Sequence, residues 1–123
     1  MRRMFAVVLL SAMALAACTS TEKAAYSTVV AAKAFLDSVK SKHPECTAGS
    51  NNTALCVDLR KATDAKDLLV DAGEIYCGGA QFDKGGPCQS PAKGTDKAGQ
   101  MLDKLKAALS GYNQTEKNLR GLL

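Results

Sequence analysis

The chain has no tryptophan, three phenylalanines, three tyrosines, one histidine and three prolines. Each scarcity excludes something. With one histidine and no motif around it, no Ser/His/Asp or Cys/His arrangement for nucleophilic catalysis stands out. With few aromatics and no run of basic residues, the stacking platforms and charged grooves of nucleic-acid binders are missing. No apolar stretch approaches the roughly 20 residues that a membrane-spanning helix needs. No alternating pattern of the kind that makes strands appears, and no internal repeat. Disorder is excluded by a composition that is 46% hydrophobic, and several domains are excluded by a length of 123 residues.

What is abundant is cysteine, with five residues in so short a chain, an odd count. The first of them closes a distinctive N-terminus. Arg2 and Arg3 are followed by an apolar run from Met4 to Ala17, interrupted by Ser11. A positive start, a short apolar core and small residues at its end make a secretory signal. The end, Leu15-Ala16-Ala17-Cys18, resembles the lipobox of bacterial lipoproteins. That resemblance covers residues 1–18. It implies cleavage before Cys18, a diacylglyceryl thioether on its sulfur and an acyl chain on its new α-amine. Two or three acyl chains hold a protein on a bilayer far more firmly than one. Thr19 rather than an aspartate follows the cysteine, which resembles the Gram-negative pattern for delivery to the outer membrane. The expected organisation is a signal peptide at 1–17, a lipidated end and short tether at 18–21, and a helical domain at 22–123. Losing Arg2 and Arg3 halves the net charge of +4, so half of the basic balance belongs to targeting.

Four cysteines remain, and an even number in an exported domain reads as two disulfides. Residues 53–76 carry apolar residues at helical spacing (Leu55, Leu59, Ala62, Ala65, Leu69, Ala72, Tyr76), and Cys77-Gly78-Gly79 ends the pattern. A continuous helix holds Cys56 and Cys77 about 31 Å apart, at 1.5 Å per residue. A disulfide needs Cα atoms within about 7 Å. Pairing Cys56 with Cys77 is therefore excluded, and Cys46 with Cys88 falls with it. Of the two remaining arrangements, Cys46–Cys56 with Cys77–Cys88 closes a short loop at each end of the helix and is far easier. Zinc is disfavoured, because its ligands come in close pairs and no two cysteines here are nearer than ten positions.

Two further helices flank this one. The first is expected at 22–42, opened by a capping box Thr19-x-x-Glu22, with Tyr26, Val29, Val30, Ala32, Phe35, Leu36 and Val39 at helical spacing. Lys40, Lys42 and His43 suit its C-terminal dipole, and Pro44 stops it. Residues 43–52 read as a loop in which Asn51 or Asn52 caps the second helix. Seven glycines and prolines mark 78–94 as a loop. The third helix, about 95–121 and opened by Thr95 or Asp96, carries Met101, Leu102, Leu105, Ala108, Leu109, Tyr112, Leu119 and Leu122. The phase persists across Gly111, so one bent helix is favoured over a break at Asn113-x-x-Glu116. The expected fold is all-α, a small disulfide-stapled three-helix up-down-up bundle. Its thin, alanine-rich core gains from the two staples.

Chemistry-bearing candidates are few. Asp64, Asp67, Asp71 and Glu74 form one stripe on the second helix, away from the core face, and read as solvated. A calcium site would need ligands converging from a loop. The segment Cys77 to Cys88, CGGAQFDKGGPC, becomes a closed ring if the disulfide forms. Its tip, Gln81, Phe82, Asp83 and Lys84, is a candidate contact loop; alternatively, Phe82 folds back to cap the bundle. The expectation is a non-enzymatic envelope lipoprotein, periplasm-facing on the outer membrane, with an interaction or structural role. It would have a membrane anchor, an envelope protein partner, no nucleic-acid partner, no small-molecule substrate, no metal, and no cofactor beyond covalent lipid on Cys18. A second reading comes from Pro44, Cys46, Leu55 and Cys56, whose arrangement is loosely similar to small phage-cassette lipoproteins acting in lysis or superinfection exclusion. A small envelope enzyme is the third.

Overall fold

The computed structural model describes residues 2–48, 51–79, 82, 88, 90, 91 and 94–123, and among these the side chains of all but 2–20 and 48. Three α-helices dominate: α1 Arg2–Lys42, α2 Ala54–Cys77 and α3 Asp96–Arg120, with a 3-10 turn at Pro44–Ala48 between the first two. They form an up-down-up bundle. α2 is central to it, packing most extensively against α3 and next against α1.

α1 begins well before the expected residue 22. Arg2 to Lys42 contains no proline and no glycine, so nothing interrupts the hydrogen-bond ladder where the lipobox meets the domain. Thr19 is therefore inside the helix rather than at its start, a correction to the capping box expected to open a helix at residue 22. The helix stops as expected at Lys42, just ahead of Pro44.

α2 opens one residue later than expected, behind Thr53 as the N-cap. The asparagines do not cap it. Asn51 instead accepts from the Thr53 N–H at 3.0 Å, and Arg60 reaches back to the Asn51 carbonyl and the Asn52 side chain. The other end is closed by Gly78 at φ 75°, a left-handed conformation that glycine adopts without steric cost. Gly78 N–H donates to the Ile75 carbonyl and Gly79 N–H to the Glu74 carbonyl, which satisfies the final turn.

α3 is continuous through Gly111 and Asn113, so no second helix starts there. Thr95 caps it, its hydroxyl accepting from Ala98 N–H. Its buried residues, Leu105, Tyr112 and Leu119, are seven apart. Leu122, expected on the same stripe, is exposed because the helix ends at Arg120.

These faces meet in one core. α1 supplies Ala25, Val29, Ala32, Leu36 and Val39; α2 supplies Leu59, Ala62, Leu69 and Tyr76. Burying a leucine of this kind stabilises by about 2 kcal/mol. Alanines at the center, Ala32 and Ala62 with no exposure, fill little volume. Both expected disulfides close the ends: Cys46–Cys56 has Cα atoms 4.9 Å apart and Cys77–Cys88 has them 5.7 Å apart. In the loop-entropy model each adds about 3 kcal/mol by constraining the unfolded chain.

Candidate functional site

The most constructed part of the molecule is the end closed by Cys77–Cys88. Of the two readings of Phe82, exposed contact or a cap folded back over the bundle, the structure overturns the first and shows the second. Its ring is 1% exposed and folds back onto the bundle. The seat is Gly73, in the last third of α2. A Cβ built at Gly73 would lie 2.4, 2.5 and 2.7 Å from three atoms of the Phe82 ring. The ring therefore lies flat on bare backbone, where any other residue would collide. On its other side it meets Tyr26 of α1 edge-on, with centroids 6.0 Å apart and planes at 89°. This edge-to-face arrangement is the favourable one for two aromatic quadrupoles. Burial of the largest apolar side chain in its loop outweighs any gain from presenting it to water. Gln81, Asp83 and Lys84, the rest of the expected contact tip, lie outside the described residues.

A second clamp lies beside the first. The Tyr76 hydroxyl donates to Glu22 Oε1 at 2.5 Å, tying the last turn of α2 to α1. Burial pushes the Tyr76 phenol up to about 12; the charge and hydrogen bond of Glu22 add to the effect, and the Ser90 backbone opposes it. Ser90 itself is buried at this end. Pro91 packs over Gly78, its Cγ 2.8 Å from where a Cβ would project. The segment after α2 is thus fastened by a disulfide, an aromatic ring and a proline.

The opposite end, closed by Cys46–Cys56, holds a cavity of about 270 Å³ lined by Lys40, Cys46, Thr47, Leu59, Arg60, Thr63 and Asp64. Nearby, the Arg120 guanidinium lies 4.0 Å from the Phe35 ring centroid and also pairs with Glu116. Burial raises the Tyr112 phenol, with the Glu116 charge adding to it. His43, the one histidine, makes a local contact with Glu45 at 3.1 Å. The Glu45 carboxyl is held below its usual range by its own backbone N–H and by His43. A shallower groove of about 540 Å³ runs between α1 and α3, lined by Thr21, Ala24, Lys106, Leu109, Asn113 and Lys117 among others.

The acidic stripe is separated along α2 rather than converging. Asp64, Asp67 and Asp71 are exposed, and Asp67 pairs with Lys66 at 2.7 Å. Among the described residues no three metal-ligating side chains cluster. Leu68 and Ile75, beside the acids, are 64% and 62% exposed. Cys18 lies within α1, three residues before the first described side chain, and its own side chain lies outside the described set. Among the described residues no helix is long and apolar enough to cross a membrane.

Sequence reasoning missed the seat at Gly73 and the Tyr76–Glu22 bond. One signal was available: a glycine inside an otherwise strong helix costs about 1 kcal/mol against alanine and implies close packing. Comparison with family models, with curated proteins and with solved structures finds no match to this chain.

Proposed function

We propose that this chain is a lipid-anchored envelope protein that works by contact rather than by catalysis, tethered through Cys18 with its bundle in the periplasm and its anchor in the outer membrane. One observation carries the reading. The lipobox Leu15-Ala16-Ala17-Cys18 ends four residues ahead of Glu22, where α1 is bonded to the disulfide-stapled bundle. The anchor then sits only a few residues from a packed, doubly stapled body. Such an arrangement suits a protein held close to a surface and used as a rigid contact element. The covalent lipid is the one non-protein group in this proposal.

The test is fractionation of bacteria expressing the full chain or its Cys18→Ser variant. The proposal expects the native chain in the outer-membrane fraction and the variant either unprocessed or released. Identical partitioning of the two would refute it. Photo-crosslinking from Thr47, exposed at the Cys46–Cys56 end, then looks for the partner. A discrete adduct that depends on Cys18 supports a contact role; turnover of a small molecule by the purified protein would refute the non-catalytic part.

A further inference from the structure

The clamps at the Cys77–Cys88 end have a consequence for how the protein sits on a bilayer. The inference rests on lipidation of Cys18. Glu22 is four residues from Cys18. These span about 6 Å as helix, and at most about 14 Å fully extended. Glu22 is bonded to Tyr76, next to Cys77, and Tyr26 one turn later carries the Phe82 ring. The anchor is thus tied, through one turn of α1, to the end of the bundle that the Cys77–Cys88 disulfide closes. The other end is far away. Lys42 lies 20 residues beyond Glu22, about 30 Å along α1 at 1.5 Å per residue. α2 runs antiparallel and places Cys56 a similar distance from Cys77.

We propose that the bundle stands on the membrane with its Cys77–Cys88 end against the phospholipid headgroups. The Cys46–Cys56 end, with its cavity beside Arg60 and Asp64, then faces away. The occupant of the Cys77–Cys88 end is the headgroup layer, and a soluble partner meets the opposite end. Continuity of α1 from Cys18 into the bundle favours standing over lying, because no break between residues 18 and 42 provides a hinge. The acids along α2 also oppose lying on that face against anionic lipid.

Because the chain has no tryptophan, one introduced residue reports alone. Ile75→Trp and Ala54→Trp place the probe at exposed positions near opposite ends of α2. Each variant is expressed with its leader, recovered from membranes, checked for both disulfides, and added to phosphatidylcholine–phosphatidylglycerol vesicles that carry a nitroxide on the headgroup. The expected result is loss of most of the emission from Trp at 75 and retention of emission at 54. Equal quenching means a bundle lying flat, and stronger quenching at 54 means the reverse orientation; either overturns the proposal. Failure of both variants to stay with the vesicles removes the anchor itself, and the orientation with it. Retention with the wrong quenching pattern removes the orientation alone.

Discussion

Replacing Gly73 with alanine sets two effects against each other. In a helix interior the change from glycine to alanine stabilises by about 1 kcal/mol through backbone entropy. At this position the new methyl would stand 2.4–2.7 Å from the Phe82 ring. Real contacts of this kind do not occur, so the ring or the helix must move. The ring has little room, being 1% exposed and held against Tyr26. Overpacking a buried site costs about 1–3 kcal/mol. Loss of the edge-to-face pair adds about 0.5–1.5 kcal/mol. The collision wins, and Gly73→Ala is expected to destabilise by about 1–3 kcal/mol net, or several degrees in Tm for a domain of this size. The deciding assay is a double-mutant cycle in urea with the disulfides intact. Phe82→Ala alone costs about 3 kcal/mol or more, the usual range for emptying a buried aromatic site. On that background Gly73→Ala has nothing to strike and should become stabilising by up to about 1 kcal/mol. The reversal of sign is the signature of the seat. Stabilisation by Gly73→Ala in the native background would refute the account of Phe82.

Other expectations follow from the same contacts. Removing the Cys46–Cys56 bond by a paired change to serine should cost about 3 kcal/mol in the loop-entropy model, read from the urea midpoint. Tyr76 has a folded pKa raised to about 12 from an ordinary 10, so the neutral phenol is favoured in the native state. Its stabilisation is present below pH 10 and is lost as pH rises toward 12. Tyr76→Phe removes the titrating phenol and should flatten this alkaline decline in a pH series of thermal melts; an unchanged slope would refute the raised Tyr76 pKa. Arg120→Met retains the apolar stem and removes the charge over Phe35; a loss of about 0.5–1 kcal/mol is expected. The exposed Glu116 pair contributes little to it. No change in the melt would remove the cation–π contact from the account.

The helices were legible because their signals are local. A repeat of three and four sets the face of α2, glycine after Cys77 stops it, and Pro44 stops α1. The disulfide pairing was legible for the same reason, since a continuous α2 keeps Cys56 from Cys77 by length alone. The start of α1 was not, because alanine and leucine serve a signal peptide and a helix equally well. Asn51 and Asn52 were misplaced by a residue or two because Arg60, a turn and a half into α2, binds them both. The orientation of Phe82 was undecidable in one dimension. It depends on a bare patch of backbone at Gly73, nine residues earlier, and on the Tyr26 ring of α1, 56 residues away. The same holds for Tyr76 and Glu22, whose bond joins residues 54 positions apart.

The central claim is a stapled bundle hung from Cys18, and intact mass of the protein extracted from bacterial membranes, under non-reducing conditions, tests it most directly. The account predicts a chain that begins at Cys18, carries the added mass of thioether-linked diacylglycerol and an N-acyl chain, and lacks four hydrogens through two disulfides. A chain that retains residues 1–17, or an unmodified Cys18, or four free thiols, would contradict it.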